Sequence, residues 1–84
     1  MDHNLHLPTL SHWEYGNPWS GERGQARFQI TPSEGQMTAE VWRGPMARAF
    51  VEPELIQTFP VSEEGIESMR AWLLECAAQL NGET

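Results

Sequence analysis

The sequence predicts an α+β domain: a three- to four-stranded antiparallel sheet with one C-terminal helix packed on one face. Three observations predict it. Residues 26–42 hold two runs that alternate apolar and polar, joined by a short Pro/Gly turn. Residues 55–61 form a further short run rich in β-formers. The last twenty-odd residues repeat apolar positions at steps of three and four behind a clear helix start.

In the first alternating run, Ala26, Phe28 and Ile30 share one side. The stretch TPSEGQ follows, with Pro32, Ser33 and Gly35 as turn formers. In the second run, Met37, Ala39 and Val41 alternate with Thr38, Glu40 and Trp42. Gly44-Pro45 ends it, since proline cannot donate to a ladder. Residues 46–54, MARAFVEPE, read as a helical turn or as a loop broken at Pro53. In the third run Leu55, Gln57 and Phe59 lie on one side and Ile56 and Thr58 on the other, and the pattern leaves open which side is inward. A possible fourth strand falls at residues 10–16.

The helix is the clearest element. Ser62 is a good N-cap, and Glu63 and Glu64 sit in the first turn, where the positive end of the helix dipole favours them. Val61 and Ile66 have the spacing of a hydrophobic staple. Ile66, Met69, Leu73, Cys76 and Leu80, joined by Trp72 and Ala77, form an apolar stripe, and Asn81-Gly82 closes the helix. Gly65 is out of place in the first turn, and close packing is the reason the sequence suggests. The expected core is Phe28, Ile30, Ala39, Val41, Phe59, Ile66, Met69, Trp72, Leu73 and Leu80.

Eighty-four residues make one domain with a thin core. Residues 1–12 show no periodic pattern and are expected to be a mobile arm ahead of a single domain at 13–84. No apolar run approaches a membrane span, and the amino terminus has no basic n-region or apolar h-region. With one cysteine, Cys76, no internal disulfide is available, so the expected compartment is cytoplasmic.

The charge is lopsided. Twelve carboxylates face five cations, giving a formal net of -7, and all five cations are arginine. The absence of lysine excludes Schiff-base catalysis and a P-loop lysine. Direct nucleic-acid binding is disfavoured, because phosphate contacts need clustered cations. An acidic surface suits a basic partner instead, and Glu63, Glu64 and Glu67 are its candidate residues.

No catalytic constellation emerges, and no enzyme activity or cofactor is expected. The serines lack a nucleophile-elbow pattern, and Cys76 lies on the apolar stripe as an inert thiol. His3, His6 and His12 match no zinc spacing. A free amine two residues before His3 can chelate Cu(II) or Ni(II) in a square plane, a geometry with no expected biological role. The stretch EYGNPWSGERG at 14–24 has three glycines but no phosphate-cradle spacing, so it reads as a turn connecting two strands. Its Trp19 is a candidate to plug the core edge or anchor a partner. If Val41 faces the helix, Trp42 faces away, sharing the open sheet face with Arg27, Gln29, Thr38 and Glu40 and followed in sequence by Arg43. An exposed tryptophan among arginines on an open sheet face is a candidate partner-binding patch, so Trp19, Arg27, Trp42 and Arg43 are the expected contact residues. The competing expectation is that residues 1–15 fold back over that face. A half-covered sheet allows a monomer or a homodimer.

The order YGNPWSGERGQARFQI, AEVWRGP and FPVSEEGIESMRAWL resembles a family of small uncharacterised single-domain proteins carried by conjugative elements and phages of gut bacteria. The resemblance covers roughly residues 14–80 and rests on Gly16 to Gly21, Phe28, Val41 to Pro45, Phe59 to Gly65 and Trp72-Leu73. It departs at Gln25 to Phe28, where members usually carry a basic residue and a tyrosine. The resemblance implies an α+β fold and a mobile-element origin, and it implies no activity. The function expected is a non-enzymatic protein-interaction module. The alternative is an acidic inhibitor of a nucleic-acid-binding defence or transcription complex, of the anti-CRISPR or anti-restriction type.

Overall fold

The computed structural model describes residues 5–82. The chain runs through a short helix α1 (Leu10–Glu14), strands β1 (Trp19–Arg23), β2 (Ala26–Ser33) and β3 (Gln36–Arg43), a single 3₁₀ turn (Arg48–Phe50), β4 (Leu55–Pro60) and the long helix α2 (Glu63–Leu80). The four strands form one antiparallel sheet in the order β1-β2-β3-β4. This is the predicted α+β architecture, with α2 across one face of the sheet.

The fourth strand is not where the sequence placed it. Residues 10–14 are helical, and the added strand is Trp19–Arg23, inside the stretch read as a turn. Gly21 is the reason that stretch resembles a loop, yet it serves the strand. The Trp19 ring folds back over it, and a β-carbon at Gly21 would stand 2.6 Å from the tryptophan Cη2. The β2–β3 connection is a two-residue turn with both central residues, Glu34 and Gly35, at positive φ (53° and 78°). Such turns match the twist of the strands they join. Pro32 costs no bond to β3, because its nitrogen points the other way, beyond the end of β1.

The helix begins as the sequence requires. The Ser62 hydroxyl accepts from the Gly65 N–H at 2.9 Å. Gly65 is buried, and any side chain there would run into the Pro60 carbonyl, so the glycine permits the tight step from β4 into α2. At the other end Asn81 accepts from the Gln25 N–H (2.6 Å) and donates to the Arg23 carbonyl (3.0 Å). One side chain thereby fastens the C-terminus of α2 to the β1–β2 turn.

The core lies between α2 and the sheet. Phe28, Ile30, Met37, Ala39, Val41, Met69 and Leu73 are fully buried, with Ala26, Phe59, Ile66, Cys76, Ala77 and Leu80 around them. Trp72, expected in the core, is half-buried, its ring tilted against Phe59 at 5.8 Å. Trp13 was not expected there and is 1% exposed, with its indole N–H donating to the Pro8 carbonyl at 3.2 Å. Leu5, Leu7 and Leu10 pack against the same cluster, and Arg70 of α2 donates to the Leu5 carbonyl at 2.9 Å. From Leu5 onward the expected arm is therefore a packed part of the helix layer, and it does not cover the opposite face of the sheet. The remainder of that arm, with His3, falls outside the described residues.

Candidate functional site

With α2 and residues 5–14 on one side, the other side of the sheet carries Ser20 and Glu22 from β1, Arg27, Gln29 and Thr31 from β2, Thr38, Glu40 and Trp42 from β3, and Ile56 and Thr58 from β4. This alternation follows from the period of two along each strand. Arg27 and Trp42 share this face, as the sequence expected, and the register makes them direct neighbours across β2 and β3.

Trp42 is not exposed. It is 4% accessible, because residues 44–51 turn back over the open face and close above it. Its indole N–H donates to the Met46 carbonyl at 2.7 Å. Arg48 locks the same loop: Nε and Nη2 donate to Glu40 Oε2 (3.2 and 3.0 Å), and Nη1 donates to the Val51 carbonyl (2.7 Å). The physical reason is that a large ring with a polar N–H gains by burial when an acceptor comes with the cover. Gly44-Pro45, which is cis, begins that reversal two residues after the tryptophan.

The four expected contact residues do not form one patch. Trp19 lies on the helix-covered side, half-buried and packed on the core, so it plugs the edge of the sheet. Arg43 is exposed but points to the side opposite Arg27 and Trp42, and its N–H donates to Glu54 Oε2 at 3.1 Å. Arg27 pairs with Glu22 at 2.9 Å and remains partly accessible. Between them, Ser20, Glu22, Arg27, Gln29, Trp42 and Arg48 line an open groove of about 360 Å³.

What the sequence did not single out is the apolar part of this face. Met46 is 49%, Phe50 73% and Ile56 55% exposed. Met46 and Phe50 belong to the loop that covers Trp42. Ile56 stands beside Glu40, the carboxylate that holds Arg48. The signal that could have found them is the reversal at Gly44-Pro45 after an indole in need of an acceptor. It returns the next residues to the open face with their own side chains outward.

The acidic candidates lie elsewhere. Glu63, Glu64 and Glu67 are exposed on the first turns of α2, and Glu67 forms an ion pair with Arg70. Among the described residues, no group of three histidine, cysteine or acidic side chains could hold a metal ion. His12 has a structural contact, its Nε2 bonded to the Pro18 carbonyl at 3.1 Å and its ring edge-on to Trp13. Burial pushes the Cys76 thiol from its ordinary 9.0 up to about 11, with Glu75 adding to the shift. A thiol so placed is a poor nucleophile. Among the described residues no helix is long and apolar enough to cross a membrane.

Comparison with protein-family models, curated proteins and solved structures finds no match.

Proposed function

We propose that this chain is a non-enzymatic protein-interaction module, an accessory protein of a mobile element acting in the cytoplasm. Its partner is a protein that docks on the open sheet face and the loop above Trp42. The single observation that carries this reading is the exposure of Met46 and Phe50 on the loop above Trp42 and of Ile56 on the strand beside Glu40, the carboxylate that holds Arg48 of that loop. Large apolar side chains with a polar rim are the anatomy of a protein-binding patch. In this reading Trp42 acts from below: it props the loop that presents Phe50.

The second reading, an acidic inhibitor that occupies the basic groove of a nucleic-acid-binding complex, is favoured by the net charge of -7 and by the exposed Glu63, Glu64 and Glu67. Affinity capture with two variants separates the readings. Phe50→Ala combined with Ile56→Ser is expected to lose the partner at any salt concentration. Glu63→Gln, Glu64→Gln and Glu67→Gln together are expected to retain it. The opposite pattern, with capture falling steeply as salt rises, supports the inhibitor.

A further inference from the structure

The sheet ends in two free edges, and they are built differently. In an antiparallel ladder, alternate residues turn their N–H and C=O toward the neighbouring strand and away from it. The Val61 N–H donates to the Gly35 carbonyl at 3.0 Å, which sets the phase of β4. Leu55, Gln57 and Phe59 therefore bond to β3, and Ile56, Thr58 and Pro60 face outward. Pro60 sits where its missing N–H removes no ladder bond. Ile56 and Thr58 each present an N–H and a C=O to solvent, in a strand with no charged residue from Leu55 to Pro60.

Natural sheets blunt such edges with charges, bulges or a cover. At β1 this protection is present. Glu22 sits on the outward-facing edge and pairs with Arg27, and the Pro18 carbonyl just ahead of the strand is taken by His12. At β4 it is absent.

We propose that β4 is the seam of a two-fold dimer, the occupant of its free edge being β4 of a second copy of this chain. A two-fold axis at Gln57 sets Ile56 opposite Thr58 of the second copy, and Thr58 opposite its Ile56. Each of these pairs exchanges two backbone bonds, so all four outward N–H groups are satisfied and no bond is asked of Pro60. The same register places half-exposed Leu55 beside Phe59 of the other copy and continues the core across the seam. Glu54 of the two copies lie six residues' rise apart, about 20 Å, and each stands opposite Pro60 of the other copy, at the strand end that leads to the acidic first turn of α2. α2 packs against β2, β3 and the edge strand β4, so the seam brings the two α2 helices onto the same side of the joined sheet. The product is an eight-stranded sheet whose open face carries both docking patches on one side. A pairing of four backbone bonds over one short strand belongs to the weak, concentration-dependent class of interfaces.

Disulfide trapping tests the register. The axis makes residue 57 its own neighbour, with Cα atoms about 4.5 Å apart in a pair without mutual hydrogen bonds. Gln57→Cys is expected to form a linked dimer under mild oxidation about tenfold or more faster than Glu22→Cys on the other edge, since bridging fails beyond a Cα separation of about 7 Å. The native Cys76 is buried and does not compete. Sedimentation velocity of the unmodified chain is expected to show a mass rising from 9.6 kDa toward twice that with concentration. Thr58→Pro, which removes an outward N–H only, should hold it at the monomer mass. Monomer mass at every concentration, or equal trapping at the two edges, overturns the proposal, and so does faster trapping at Thr58→Cys than at Gln57→Cys. Should Thr58→Pro fail to fold, the trapping comparison decides alone.

Discussion

On the side facing α2, strands β2 and β3 contribute Ala26, Phe28, Ile30, Met37, Ala39 and Val41, and all six are fully buried. On the other side the same strands contribute Arg27, Gln29, Thr31, Thr38, Glu40 and Trp42, and only Trp42 is buried. The first side is closed by a helix of 18 residues with an apolar stripe; the second is closed in part, by one loop that one indole bond and one arginine hold down. The difference teaches where stability and where recognition reside. Burial against α2 holds the fold, since each large side chain removed from water contributes about 1.5–3 kcal/mol. The loop side contributes less and keeps its apolar side chains available.

The largest expected effect is on the helix side. Phe28→Ala leaves a cavity at the centre of the core and should cost about 3–5 kcal/mol. A domain this small has little more than that to lose, so a thermal melt should show much of the population unfolded at room temperature. A melt unchanged from the parent breaks the assignment of this side as the core.

Trp42→Ala sharpens the comparison. If the loop is the softer cover, it settles into the gap, and the loss should be about 3 kcal/mol, the low end for a buried aromatic. Denaturant unfolding of both variants measures the difference. A loss at Trp42 as large as that at Phe28 means that the two sides are equally rigid.

A smaller effect reads the helix side by pH. The folded state holds the Cys76 thiol protonated up to about pH 11, whereas the unfolded chain releases that proton near pH 9.0. Below pH 9.0 both states bind the proton and stability does not vary with it. Between pH 9.0 and about 11 the folded state binds more protons, so stability falls as pH rises. Cys76→Ala should abolish this segment of the stability–pH curve. Labelling kinetics give the same information, with the native thiol reacting only as fast as the fold opens.

The sequence made the helix side legible and the loop side only in outline. Ser62, the paired glutamates after it and the apolar steps from Ile66 to Leu80 are local signals, and each sits where it was expected. The β2–β3 hairpin was legible for the same reason. Two elements were not. Helix α1 has five residues, too few for a period to emerge, and its stability comes from Trp13 in the core. Strand β1 pairs Trp19 with Ile30 and Gly21 with Phe28, a non-local fit that an internal glycine hides. The site was harder still. The strand period gave the correct side for Arg27 and Trp42, but the burial of Trp42 depends on a loop returning to the sheet. Met46 and Phe50 lie in the segment whose pattern fitted either a turn or a loop. Alternation says which way a side chain points; it does not say what will cover it.

The central claim is that the loop side, and not the acidic helix, is the surface that other proteins read. Phe50→Ala with Ile56→Ser should leave stability within about 0.5 kcal/mol, as for exposed positions generally. The decisive measurement is quantitative capture of the bound protein by this folded double variant beside the triple glutamine variant of α2, in low and high salt. Loss of the bound protein with the first and retention with the second, at both salt concentrations, is the expected result. Retention by the double variant, with loss on removing Glu63, Glu64 and Glu67, contradicts it.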